Sequence, residues 1–114
     1  MFIKATFNGK HNRTKVIVLI TLYERKKKGL PGLTLAELSE TIPINYSSLS
    51  ASLVRYCRQG WDYCNKRIGL HKGKPSYRYE IAHRGVHFLE HRVPPDVLQD
   101  CLNQINEFRG AVNG

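Results

Sequence analysis

Residues 33–61, LTLAELSETIPINYSSLSASLVRYCRQGW, decide the fold of this chain. Thr34 followed by Glu37 is a capping-box pattern, in which each side chain satisfies the other's free backbone donor at a helix start. Leu35, Leu38 and Ile42 form the inner stripe of a short helix. Pro43 ends it, because proline disfavours helical geometry in the preceding residue. Asn45 or Ser47 can cap the next helix, which runs to about Gln59 with Gly60 in the C-terminal position. Two short helices joined by a tight, angled turn are expected.

On the second of these helices, spanning about 46–59, Leu49, Leu53 and Tyr56 or Cys57 share one face. At ~100° per residue the opposite face carries Ser47, Ser48, Ala51, Arg55 and Arg58, with Ser50 and Ser52 on the flanks. Small side chains let a backbone approach base edges closely, hydroxyls bond bases or phosphates, and arginine grips guanine or phosphate. Tyr46 at the helix start can stack or touch a phosphate. The plain alternative is an amphipathic helix with a solvated polar face. Such a helix usually favours Glu, Lys and Gln over serine, so insertion into a nucleic-acid groove is the expectation.

A basic hairpin pattern follows. Trp61 to Leu70 and Ser76 to Ala82 have strand character, with Tyr77, Tyr79 and Ile81 alternating with Arg78 and Glu80. Between them His71-Lys72-Gly73-Lys74-Pro75 reads as a turn-forming tip. Lys72 and Lys74 at the tip, with Lys66, Arg67 and Arg78 along the stem, suit the phosphate backbone or minor groove. A charged tip can also simply keep an exposed edge from pairing.

On the N-terminal side, His11 to Lys28 reads as a first long helix, with Val16, Leu19, Ile20 and Tyr23 at helical spacing. Its end, Arg25-Lys26-Lys27-Lys28-Gly29, places cations on the C-terminal dipole and glycine at a left-handed stop. Met1 to Asn8 alternates loosely and reads as a short strand or ordered arm. Near the other end, Pro94-Pro95-Asp96 starts a helix on which Val97, Leu98, Cys101, Leu102, Ile105 and Phe108 recur at a/d-like spacing.

With 114 residues, 41% of them hydrophobic, the chain suits one small domain. Its net charge of +9 is uneven. Residues 42–79 carry seven basic side chains against Asp62 alone, whereas from Glu80 onward five acids face three arginines. A basic field over the helix pair and hairpin suits a polyphosphate partner through counterion release, or merely a soluble basic surface. No apolar run approaches the ~20 residues that cross a bilayer, and MFIKATFNGK lacks the pattern of a secretion signal. Three cysteines without framework spacing fit reduced thiols in a cytoplasm. There the sequons at Asn12 and Asn45 carry no meaning.

From His11 to Arg92 the chain resembles the winged helix-turn-helix superfamily, in the broad style of the MarR, PadR and ArsR transcriptional regulators. The resemblance is carried by Leu35-Ala36-Glu37-Leu38, Ser47-Ser48-Leu49-Ser50, Leu53 to Gly60, the hairpin, and Tyr79-Glu80-Ile81-Ala82-His83-Arg84-Gly85. At His83 the superfamily usually has threonine or serine. The resemblance implies a mainly helical α+β fold: a three-helix core, a β-hairpin wing and additional C-terminal helices. Residues 1–92 would be the DNA-binding domain, and 93–114 a C-terminal helix for dimerisation or packing. Related regulators dimerise through terminal helices, and a two-fold dimer would set two recognition helices ~34 Å apart. Some winged helices bind RNA or only proteins, so fold does not dictate partner.

Other chemistries are less well supported. His83, His87 and His91 are spaced for one helix face, and six residues separate Cys57 from Cys64, with His71 nearby. Neither set has CxxC or HExxH spacing, and solvated histidines with free thiols account for them. A histidine pH sensor or a redox sensor is a further alternative. Catalysis lacks a glycine-rich phosphate loop or nucleophile elbow, so no enzyme, cofactor or metal is expected. The expectation is a cytoplasmic, homodimeric regulator binding double-stranded DNA through Tyr46, Ser47, Ser48, Ser50, Ala51, Ser52, Arg55, Arg58, Lys66, Arg67, Lys72, Lys74 and Arg78. A winged helix that binds protein or RNA within a transcription or replication assembly is the alternative.

Overall fold

Seven consecutive residues, Val16 to Leu22, are buried in the middle of the first helix. A helix apolar on every side must be covered on every side, and the rest of the chain does this. The computed structural model describes the backbone of residues 10–113 and the side chains of residues 12–111. The stretch Met1 to Asn8, read above as a strand or arm, lies outside them. In chain order the elements are α1 (Lys10–Lys27), α2 (Leu35–Thr41), α3 (Tyr46–Tyr56), β1 (Cys64–His71), β2 (Lys74–Ile81), α4 (His83–His91) and α5 (Pro95–Asn113). The fold is α+β and mostly helical. None of these helices is long and apolar enough to cross a membrane.

Local chemistry sets most of the boundaries. α1 ends on Gly29 at φ +67, where the Gly29 and Leu30 amides donate back to the Lys26 and Arg25 carbonyls. That pair of bonds is a Schellman stop. At α2 the Thr34–Glu37 capping box forms in both directions, and Ile42 leaves the helix extended before Pro43. Asn45 caps α3 by accepting from the Ser48 amide at 2.8 Å. Leu38 and Ile42 below, and Leu49, Leu53 and Tyr56 above, lock the two helices onto α1 in one cluster. Truncating a fully buried leucine such as Leu53 to alanine should cost about 2–5 kcal/mol.

Three boundaries differ from expectation. α3 stops at Tyr56, so Arg58 and Gln59 belong to a turn in which the Arg58 carbonyl accepts from Trp61 and Asp62. Trp61 is therefore not in a strand. The hairpin tip is also tighter, because Lys74 and Pro75 lie in β2 and His71 pairs with Lys74. The turn is just Lys72-Gly73, at φ +53 and +78, the double left-handed geometry whose twist matches an antiparallel pair.

The hairpin is fastened to the helices at long range. Leu33 and Tyr79 exchange backbone hydrogen bonds of 3.0 and 2.8 Å, adding a one-residue third strand against β2. Neighbouring Gly32 must be glycine, since a Cβ there would collide with the Tyr79 carbonyl. Gly85 lets α4 approach the Tyr63 carbonyl just as closely.

The C-terminal stripe is a correction. Val97, Cys101 and Ile105, expected at a dimer interface, are buried in the chain's own core. Leu98 and Leu102 pack against that core, and Phe108 is half-buried. α5 supplies one of the covers α1 needs, held by ion pairs from Arg13 to Asp100 and from Arg109 to Glu24.

Candidate nucleic-acid interface

α3 turns out most of the expected face, with Ser52 lost from it and Val54 added. Ser47, Ala51 and Val54 are exposed, followed by Arg58 in the turn after the helix. Ser48, Ser50 and Arg55 flank this row half-buried. Ser52 is not on the surface: it is 4% exposed and accepts from the Arg55 guanidinium at 3.4 Å. Leu49, Ser52, Leu53 and Tyr56 form the inward row at i, i+3, i+4, i+7 spacing. That spacing was visible in the sequence, and it turns Val54 outward at 62% exposure. Burial pushes the Tyr56 hydroxyl up to about 12, so it stays protonated. Tyr46 stands exposed at the helix start.

The register pairs Lys66 with Tyr79, Ile68 with Tyr77 and Leu70 with Pro75, so these residues share one face of the hairpin. This face continues outward from buried Cys64 and Ile81. Lys66 Nζ lies 4.4 Å from the centre of the Tyr77 ring. Ile68 is 75% exposed and Leu70 65%, an aliphatic pair that charge counting overlooked. Lys72 and Lys74 stand exposed at the tip.

The other face carries Arg67, Arg78 and Glu80, and its charges serve the fold. Arg78 donates to the Gly32 carbonyl at 2.8 Å, the Glu37 carboxylate at 3.0 Å and twice to the Leu70 carbonyl. Its candidacy as a DNA contact is therefore corrected: it is a brace between hairpin and α2. Burial raises the Glu37 carboxyl, but the Thr34 amide and Arg78 outweigh it and hold Glu37 below its ordinary value. Arg67 is exposed but paired with Glu80 at 2.5 Å.

Between α3 and the hairpin runs an open groove of about 370 Å³, lined by Leu53, Val54, Cys57, Cys64, Asn65, Lys66 and Tyr79. The groove thus brings Val54 of the outward row and Lys66 of the hairpin together, and leaves Arg67 and Arg78 off it. Of the histidines, His87 and His91 lie 4.7 Å apart between ring centres, tilted to each other, on the exposed face of α4. Among the described residues no group of His, Cys, Asp and Glu is arranged to hold a metal. Comparison with known proteins found no matching protein-family model, curated protein or solved structure.

Proposed function

We propose that the chain is a winged helix-turn-helix protein that binds double-stranded DNA and regulates transcription. α2 and α3 are the helix pair, the Leu33 bridge with β1 and β2 is the wing, and α3 enters the major groove. The observation that carries this reading is the small, uncharged outward row of α3, whose Val54 shares a groove with Lys66 of the hairpin. Ser47, Ser48 and Ser50 offer hydroxyls to base edges, and Ala51 and Val54 offer methyl groups to thymine. Arg58 and Arg55 reach guanine or phosphate, while Lys66, Lys72 and Lys74 take the backbone beside the helix.

A gel-shift assay of the full chain on random-sequence duplex at low salt tests this. Retarded duplex is expected, and selection from a random pool should return a different preferred sequence for Val54→Ser. Retardation of RNA but not duplex would overturn the reading. The exposed Ile68 and Leu70 favour one other reading, a protein-binding wing. Co-purification of a stable partner that Ile68→Ser releases, with no duplex retardation, would put that reading first.

A further inference from the structure

Cys57 and Cys64 play no part in the DNA-binding proposal, yet the fold brings them together. Cys57 is the C-terminal cap of α3 and Cys64 the first residue of β1. The loop between them doubles back, with the Tyr63 amide donating to the Tyr56 carbonyl at 2.9 Å. The next residue on each side of that bond is a cysteine. Both thiols line the groove between α3 and the hairpin, close enough for each to act on the other's ionisation through S–H···S interaction.

The two thiols are unequal. Cys57 is half-buried and open to the groove, whereas Cys64 is buried. The hydrogen bond from Cys64 draws the Cys57 thiol below its ordinary value, burial opposes this, and Lys66 adds to the lowering. That same hydrogen bond and burial push the Cys64 thiol up. Cys57 is therefore the more readily ionised of the two and Cys64 the less, the division of labour of an attacking and a resolving thiol. The remaining cysteine, Cys101, is buried in the core with its thiol raised by burial, and serves as an internal control.

We propose that Cys57 and Cys64 form a dithiol site that reacts with hydroperoxides and closes to an intramolecular disulfide. The Cys57 thiolate sulfur attacks the terminal oxygen of the hydroperoxide. An S–O bond forms, the O–O bond breaks, and the departing alkoxide takes up the proton that Cys57 lost. Cys57 is now a sulfenic acid, and no longer a thiolate holding the Cys64 proton in place. The Cys64 sulfur then attacks the Cys57 sulfur, the S–O bond breaks, and hydroxide leaves as water with the Cys64 proton. Two thiols and one hydroperoxide give one disulfide, one alcohol and one water. A small-molecule thiol reverses the change by exchange. The bond ties the end of α3 to the start of the hairpin at the floor of the groove. If the DNA-binding proposal holds, it alters the surface offered to the duplex.

The test uses the full chain, hydrogen peroxide and no DNA, so it stands whether or not the chain binds a duplex. After peroxide, the intact mass should fall by two hydrogens, and non-reducing digestion should yield a peptide pair joined through Cys57 and Cys64. Dithiothreitol should restore the mass, and Cys101 should stay free for alkylation after unfolding. In Cys64→Ser a sulfenic acid should persist on Cys57, trapped by dimedone. In Cys57→Ser, peroxide consumption should fall at least about tenfold. Unchanged wild-type mass, cross-links only between molecules, or dimedone on Cys64 in place of Cys57 would overturn the proposal.

Discussion

The two faces of the β-hairpin differ in what their charges do. On one, Arg78 is bound to Gly32, Glu37 and Leu70, and Arg67 to Glu80. On the other, Lys66 lies over Tyr77 beside exposed Ile68 and Leu70, and leads to the tip lysines. All of these residues count equally in a net charge. Only the second face has cations exposed beside α3, because a guanidinium with several donors is suited to bracing carbonyls and carboxylates, and lysine is suited to solvated contact. Of the five hairpin cations that charge counting offers, Lys66, Lys72 and Lys74 remain available to a polyanion.

The largest effect should come from attacking the bracing face. Arg78→Ala removes charge-assisted bonds to Gly32 and Glu37 and should lower unfolding free energy by about 2–3 kcal/mol in urea titration. Arg78→Lys should not restore it, lacking the fork geometry. If Arg78→Ala leaves stability intact and weakens only DNA binding, the contrast between the faces is wrong. At the exposed hairpin tip, Lys72→Ala with Lys74→Ala should leave stability within about 0.5 kcal/mol. Duplex affinity should fall roughly 10- to 30-fold near physiological salt, the size expected for two lost phosphate contacts.

Acid should act on the brace. Because the Glu37 carboxyl is held below its ordinary value, its contribution is complete above the usual carboxylate range. It is lost as pH falls through the depressed value. The stability gap between the chain and Glu37→Gln should therefore narrow in acid, measured by urea unfolding from neutral pH downward. A gap that widens would contradict the assignment. The smallest effect is expected for Arg67→Ala, an exposed ion pair worth less than about 0.5 kcal/mol, with duplex affinity changed less than about twofold.

These contrasts also show where sequence reading succeeds. The capping box at Thr34, the stop before Pro43, the Asn45 cap and the hairpin order are signals within a few residues of each other, and all are present in the structure. What was missed depends on distant partners. Nothing local tells Arg78 that Gly32 and Glu37 await it, or joins Leu33 to Tyr79. The α5 stripe looks identical whether it meets another chain or α1. Only the unbroken apolar run from Val16 to Ile20 hinted that α1 needed covering on every side. Ser52 is a different case: its polar side chain faces inward because Leu49, Leu53 and Tyr56, at helical spacing around it, set the buried row.

The central claim is that α3 and the lysine-bearing hairpin face together grip duplex DNA. Fluorescence anisotropy of the full chain on a labelled duplex across a salt series tests it most directly. The logarithm of the affinity should fall linearly with the logarithm of salt concentration, and the Lys72→Ala, Lys74→Ala double variant should show a slope smaller by about two. No duplex binding at the lowest salt, or an unchanged slope in the double variant, would contradict it.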